Sequence, residues 1–292
     1  MKHKAGFINI IGNPNVGKST LMNALVGERL SIITPKKQTT RHRIKGILSG
    51  DDFQMVFSDT PGIVDPAYKL HESMMNYVQE ALRDADVLLY VTDPRDIDPK
   101  EHIIEKLNEL DIPIILILNK IDNISSEMLN EWVEKWHTRI PKAEILPMSA
   151  LHKLSCDLLM NKLHQLLPES PAYFDKEDLT DKSLRFIASE TIRQYILELY
   201  DKEIPYSCEV KIEKFVEEPH IIRIGAVIYV MRDTQKGIII GHKGVKIKEL
   251  GEKSRFALED FCGKKVFLET FVKVDPNWRN EERKLKGFGY QF

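Results

Sequence analysis

The chain has 292 residues, enough for two domains with full cores, since domains commonly run about 100–200 residues. Its formal net charge of −2 excludes a globally basic nucleic-acid coat, so any RNA surface must be local. The three cysteines, Cys156, Cys208 and Cys262, are odd in number and far apart, which excludes a disulfide framework or a zinc pair and fits a reducing cytoplasm. Apolar runs near Val87 and Ile114 are too short to span a bilayer, and strand one follows the amino terminus with no cleavage-site pattern, so no export is expected.

Hydrophobic periodicity predicts strands near 6–12, 43–49, 53–58, 87–92, 113–118 and 143–147. Helices near 17–27, 69–83, 99–110, 125–138 and 155–166 are predicted between them. That alternation implies an α/β domain over residues 1–168, a mostly parallel sheet with helices on both faces. Two prolines and a polar stretch mark 169–181 as a linker, and a second, α+β domain is expected over 182–292. Its pattern is helix 183–200, strands 207–216 and 220–232, a glycine-marked turn, helix 245–261 and strand 265–274.

After the first strand comes Gly12-Asn13-Pro14-Asn15-Val16-Gly17-Lys18-Ser19, followed by Thr20 at the head of a helix. This G-x-x-x-x-G-K-S spacing builds a loop whose backbone N–H groups wrap a polyphosphate. The glycines permit close approach, Lys18 supplies a point charge for the terminal phosphates, and Ser19 offers a hydroxyl to Mg²⁺. Asp59, Thr60, Pro61 and Gly62 end the third strand. They place a carboxylate where it can hold Mg²⁺ through water and a glycine whose N–H can meet the γ-phosphate.

Asn119, Lys120 and Asp122 follow the apolar run 114–118, at the carboxyl end of another buried strand. The Asp122 carboxylate can accept from the ring N–H and the exocyclic amine of guanine, and adenine has no matching donor pair. The expected nucleotide is therefore GTP, with GDP as product. Ser149, Ala150 and Leu151 stand where a backbone N–H meets the guanine carbonyl oxygen.

The second domain's chemistry sits in 237–248, where Gly241-His242-Lys243-Gly244 makes a tight loop open to a sugar-phosphate backbone. Lys246 and Lys248 follow on the next helix, and basic residues outnumber acidic ones between Arg232 and Arg255. Single-stranded RNA is the expected ligand of these six residues.

In order and spacing the chain resembles the Era GTPases, a P-loop GTPase domain followed by a type II KH domain. The resemblance runs through Gly12–Ser19, Gln38-Thr39-Thr40-Arg41-His42-Arg43, Asp59–Gly62, Asn119–Asp122, Ser149-Ala150, Arg185-Phe186-Ile187-Ala188 and Gly237–Lys248, and covers essentially the whole chain. It implies GTP hydrolysis, binding to the 3′ end of small-subunit (16S) ribosomal RNA, and a role in assembling the small ribosomal subunit. It further implies a cytoplasmic monomer with peripheral membrane association.

In that frame Lys18 and Mg²⁺ clamp phosphate oxygens, Thr40 rather than Thr39 completes the metal shell formed with Ser19 and Asp59, and Gly62 meets the γ-phosphate. Ile63 stands where many regulatory GTPases carry a water-orienting glutamine. Asn15 resembles an asparagine that coordinates K⁺ beside the phosphates in relatives, against the simpler reading of a loop-capping side chain. Arg41 and Arg43 are candidate fingers that more readily sense conformation or touch RNA. Two other classes stand beside the switch GTPase. One is an RNA chaperone in which GTP is a structural ligand. The other is a metabolic phosphotransferase, which Asn119-Lys120-x-Asp122 argues against.

Overall fold

A computed structural model describes residues 3–94 and 100–292. By internal contact the chain divides into two units, one comprising 1–66 and 74–181, the other 67–73 and 182–292.

The first unit carries strands β1 (Lys4–Ile11), β2 (Ile44–Ser49), β3 (Phe53–Asp59), β4 (Val87–Thr92), β5 (Ile114–Leu118) and β6 (Glu144–Pro147). Between them run helices α1 (Lys18–Val26), α2 (Lys69–Arg83), whose residues 69–73 fall in the second unit, α3 (Glu101–Glu109), α4 (Ser126–Arg139) and α5 (Cys156–Leu166). The expected helix at 99–110 is thus found as α3, and residue 99 lies outside the described residues. The strand order is β2-β3-β1-β4-β5-β6, parallel throughout except for the antiparallel β2–β3 pair. β4 and β5 are apolar and buried at every position, as strands covered on both faces must be. Their carboxyl ends, with those of β1 and β3, form the rim where the loops of interest begin.

Arg43, expected to sense the switch or touch RNA, does neither in this arrangement. It is buried, with its guanidinium at 2.7 Å and 2.9 Å from the Asp84 carboxylate oxygens. It also donates to Ser58 Oγ and Asn9 Oδ1, both at 3.0 Å. The side chain just before β2 thereby binds β3, β1 and the carboxyl end of α2 into one polar knot under the sheet. Arg41 is likewise buried, so neither arginine presents its charge to a ligand at the surface.

Residues 169–181, expected as a linker, are laid along the first unit. Gln54 Oε1 accepts from the backbone N–H groups of Tyr173 and Phe174 at 2.7 and 3.0 Å, and Ile47 N donates to Leu179 O at 2.9 Å. Thr180 Oγ1 donates to Lys45 O at 2.6 Å, and Tyr173 packs on Phe7 with ring centroids 4.8 Å apart.

The second unit contains α6 (Leu184–Leu199), the short α7 (Ile204–Ser207), β7 (Cys208–Glu217), β8 (Ile221–Val230), α8 (Asp233–Ile240), α9 (Val245–Cys262), β9 (Lys265–Val274) and α10 (Glu282–Gly287). β7 and β8 are antiparallel, and β8 and β9 parallel. One sheet face packs on α6, α8 and α9 through Ile192, Ile196, Ile224, Ile228, Ile239 and Leu250. The opposite face is partly covered by the carboxyl-terminal segment. There Trp278 Nε1 donates to Ser207 O at 3.2 Å, Tyr290 Oη to Glu209 Oε2 at 2.7 Å, and Phe288 packs on Tyr229. No helix among the described residues is long and apolar enough to cross a membrane.

The Arg43 knot has a measurable consequence. Arg43→Met keeps the aliphatic stem but strands buried acceptors on Asn9 and Ser58. It should cost about 2 kcal/mol, less than the ~3–5 kcal/mol for breaking a fully buried pair because Asp84 is half-exposed. The loss is read as a lower urea midpoint, and Arg43→Lys should recover less than half of it because an ammonium cannot fork. An unchanged midpoint in the methionine variant would remove the knot from the stability of the unit.

Candidate nucleotide and RNA sites

The loop between β1 and α1 is shaped by two glycines at positive φ, Gly12 at 148° and Gly17 at 100°. A β-carbon on Gly12 would lie 2.2 Å from Val91 O, and one on Gly17 would lie 2.2 Å from Asn119 Nδ2. At Gly12 the backbone of β4 leaves no room for a side chain, and at Gly17 the left-handed backbone and the Asn119 amide both favour glycine. Gly17 also caps α1 without a side-chain acceptor, leaving the first N–H groups of the helix aimed into the loop, where an anion satisfies them. Lys18 is buried and its ammonium donates to Gly12 O at 2.9 Å and Asn13 O at 2.8 Å, curled back across the loop it serves. A cavity of about 760 Å³ opens here, lined by Asn13–Thr20, residues of the 32–40 segment, Gly62 and Lys120.

Beside it lies the Asp59 carboxylate, fully buried. Its Oδ2 accepts from Ser19 Oγ at 2.7 Å and Thr40 Oγ1 at 3.2 Å, and the two hydroxyls are 2.9 Å apart. Its Oδ1 has no hydrogen-bond partner. Burial pushes the carboxyl pKa above its usual range, opposed by the Ser19 hydroxyl and the Lys18 charge. A buried oxygen with an unused lone pair, flanked by two hydroxyls, is a hard donor set that fits Mg²⁺. Thr39 turns away, bonding Lys36 O and the Thr34 hydroxyl, so Thr40 alone of the pair joins the cluster.

Thr60 Oγ1 donates to Ile10 O at 2.7 Å, fixing the chain as it leaves β3 through Pro61. Gly62 then abuts the phosphate loop so closely that a β-carbon there would lie 2.8 Å from the Pro14 nitrogen. Ile63 is buried, and its N–H donates to Gly12 O at 3.2 Å. Asn15 adopts a left-handed backbone, and its amide donates to Pro35 O at 3.1 Å, joining the phosphate loop to the 32–40 segment.

Asn119 is buried and stitches three loops, donating to Val16 O at 2.8 Å and accepting from Ala150 N at 3.0 Å. Asp122 Oδ1 accepts from Ser149 Oγ at 2.5 Å and Oδ2 from Asn123 at 2.7 Å. The Ser149 hydroxyl holds the Asp122 pKa below the ordinary carboxylate range, so the base-facing group is ionised at neutral pH. Each oxygen keeps a further lone pair for an incoming N–H. Leu151 is exposed beyond the Ser149–Ala150 turn. Lys120 bridges the two halves of the site, its ammonium 2.5 Å from both Asn15 O and the Asp93 carboxylate. Asp93 escaped the sequence reading. Its one signal was a carboxylate just past the carboxyl end of β4, on the same rim.

In the second unit α8 and α9 are joined by Gly241-His242-Lys243-Gly244, with φ of 72° at Gly241, 50° at Lys243 and 78° at Gly244. A β-carbon on Gly241 would press against the Lys246 side chain at 2.8 Å. His242, Lys243, Lys246 and Lys248 are exposed around the loop, and Lys246 Nζ sits 5.6 Å over the Tyr200 ring. A glycine-marked turn was expected between 232 and 245, and α8 fills most of that stretch, ending in the isoleucine triplet 238–240. In this helix Ile239 is core and Ile238 is exposed beside the loop.

Comparison with known proteins matches both parts of the chain. The family model described as 50S ribosome-binding GTPase matches residues 7–120, and that for the KH domain matches 203–279. GTPase Era of Alkaliphilus metalliredigens is 41% identical over all of both chains. That of Syntrophus aciditrophicus is 45% identical over 98% of this chain and 95% of its own. Two solved structures are 37% identical, each covering 99% of this chain and all of its own. They are an Aquifex aeolicus Era variant bound to GDP and aluminium fluoride, with a TM-score of 0.94, and an Era complex with MgGDPNP and nucleotides 1506–1542 of 16S ribosomal RNA, with a TM-score of 0.95. Two-domain similarity at this identity along the whole length leaves one assignment: the chain belongs to the Era family of GTPases.

Proposed function

We propose that this protein is a GTP-driven switch that binds 16S ribosomal RNA near its 3′ end and assists assembly of the small ribosomal subunit. The observation that carries the nucleotide half is the convergence of Asn119, Asp122, Ser149 and Ala150 beside the phosphate loop. An ionised carboxylate held by Ser149 suits the paired donors of guanine. The RNA half rests on the exposed basic loop 241–248 and on the relative solved with that RNA segment. Cytoplasmic residence with peripheral membrane contact belongs to the same reading.

Hydrolysis on this scaffold works by positioning and charge. Lys18 exchanges the carbonyls of Gly12 and Asn13 for phosphate oxygens, and the α1 N–H groups neutralise the rest of the chain of phosphates. Ser19, Thr40 and Asp59 would hold Mg²⁺, which supplies charge compensation for the phosphate oxygens. Thr40 can also report the presence of the γ-phosphate, because it belongs to a loop and meets the buried site by one hydroxyl. Ile63 has no group able to orient water, so backbone N–H groups of the two switch loops perform that task. Gly62 brings one of them against the phosphate loop.

Three measurements test this reading. Asp122→Asn should weaken GTP and favour xanthosine triphosphate, because the amide donates to the xanthine carbonyl where the carboxylate needed two donors. Unchanged GTP preference in competition binding would dismiss Asp122 as the reader. Asn15 supports a monovalent-cation site only through its Oδ1, since its amide is committed to Pro35 O. Turnover should therefore be higher in K⁺ than in Na⁺ at equal ionic strength and lose that difference in Asn15→Ala, whereas equal rates in both salts remove the role.

The third concerns coupling. Thr40 and Gly62 lie in one unit and Gly241–Gly244 in the other, and a ligand shifts such an equilibrium only by its differential affinity for two states. RNA should bind more tightly with a GTP analogue than with GDP, and by reciprocity RNA should tighten the analogue by the same factor. The double variant Gly241→Asp, Gly244→Asp should lose RNA while keeping GTP affinity, since it sets bulk and negative charge against phosphates. Equal RNA affinity in both nucleotide states would end the coupling, and wild-type RNA binding by the variant would move the RNA site elsewhere.

A further inference from the structure

The outer face of the β7–β8–β9 sheet is covered only at one end. The carboxyl-terminal segment packs over Tyr229 and Glu209, and beyond it the alternation of β9 turns two phenylalanines outward. Phe267 is 45% exposed and Phe271 59% exposed, while Val266 on the other side of the strand is core.

The strand register fixes their surroundings. Phe271 lies beside Val227 and then Lys211; Phe267 lies beside Arg223 and then Val216. Arg223 holds its guanidinium 5.6 Å from the Phe267 ring centroid. Between these two rows is a third, Glu269, Gly225 and Lys214, in which the central position has no side chain. Glycine inside a strand often marks a bulge, and the irregularity between Ile212 and Lys214 brings the Lys214 Cβ within 3.2 Å of where a Gly225 β-carbon would lie. Glu269 stands between the two exposed rings on β9, and the neighbouring strand carries no side chain beside it.

Lys211, Lys214, Lys265 and Lys273 project on this side by the same alternation, with Glu269 among them and Glu213 at the bulge beside Tyr229, and Arg223 is paired with Glu218, so five cations face three carboxylates. In a chain of net charge −2, this patch is locally cationic. Lysine is depleted from protein–protein interface cores, whereas aromatic rings interleaved with cations are what a single-stranded nucleic acid requires. The rings are about 13 Å apart along the strand, several times the ~3.4 Å step of stacked bases. They suit two splayed bases.

We propose that this bare face is a second single-stranded RNA surface, separate from the Gly241–Gly244 loop, on which bases stack against Phe267 and Phe271 while the lysines meet phosphates. The proposal rests on the reading that the chain binds RNA. A loop of this kind clamps about four nucleotides, so a longer RNA has strand to spare for another surface.

The test uses the full chain with a GTP analogue and two probes. One is RNA of the sequence of nucleotides 1506–1542 of 16S ribosomal RNA, and the other is the set of tetranucleotides drawn from it. Phe267→Ala and Phe271→Ala should each weaken the long RNA roughly tenfold and leave tetranucleotide binding and GTP turnover unchanged. The double substitution Lys211→Gln, Lys214→Gln should lower the salt dependence of long-RNA binding by a slope of about 1.4. As a measurement that needs no variant, long RNA carrying 5-iodouridine should photocrosslink to Phe267 or Phe271.

Wild-type affinity for the long RNA in the doubly substituted Phe267→Ala, Phe271→Ala protein, with no crosslink to either ring, overturns the proposal. So does that result joined to loss of a protein partner, which would make the face a protein-docking surface. Equal weakening of long RNA and tetranucleotide would also overturn it, since the damage would then lie in the loop. If the wild-type chain bound neither probe, the RNA reading itself would fall.

Discussion

A single buried carboxylate organises the nucleotide half of this protein. Asp59 sits at the end of β3 with no exposure to water, one oxygen taken by Ser19 and Thr40 and the other unpaired. Such a group is costly unless something positive or hydrogen-bonding completes it. Lys18 provides part of the compensation by charge. A divalent cation would provide the remainder, and because Thr40 stands on a loop, the position of that loop becomes conditional on the ligand.

The rigid surroundings keep that sensitivity local. β4 and β5 are buried along their whole lengths, and Asn119, at the end of β5, is bonded to Val16 on one side and Ala150 on the other. Lys120 adds a second tie through Asn15 and Asp93. The loops after β1, β4, β5 and β6 are therefore tied into one frame, which Thr40 and Gly62 adjoin. Three residues after Thr40, the Arg43 knot ties the chain to β1, β3 and the end of α2.

What the sequence disclosed follows from how far apart the interacting residues lie. Gly12–Ser19 and Asn119–Asp122 are contiguous, their chemistry is set by local spacing, and both could be placed at the correct strand ends. Of the adjacent threonines, Thr40 lies beside Asp59 while Thr39 is consumed by the Thr34–Lys36 turn. Arg43 was misjudged because its main partner, Asp84, is 41 residues away and only the fold brings them together. Asp93 was invisible for the same reason, its meaning depending on Lys120. Residues 169–181 read as a tether by their prolines and charges, yet Gln54 holds that segment by backbone groups that any composition would have offered.

The β9 strand shows a different limit. Lys265-Val266-Phe267-Leu268-Glu269-Thr270-Phe271-Val272-Lys273-Val274 places apolar residues on both faces, a pattern that in an α/β sheet signals cover on both sides. The second unit has helices on one face and, on the other, a carboxyl-terminal segment of which α10 spans only six residues, too short to announce itself by periodicity. That segment reaches Tyr229 and Glu209 and stops short of the Phe267 row. Composition alone cannot distinguish an aromatic ring that a neighbour covers from one left open; the register and the length of the covering segment decide it. Where they leave rings bare among lysines, the apolar residue has passed from holding the fold together to meeting a ligand.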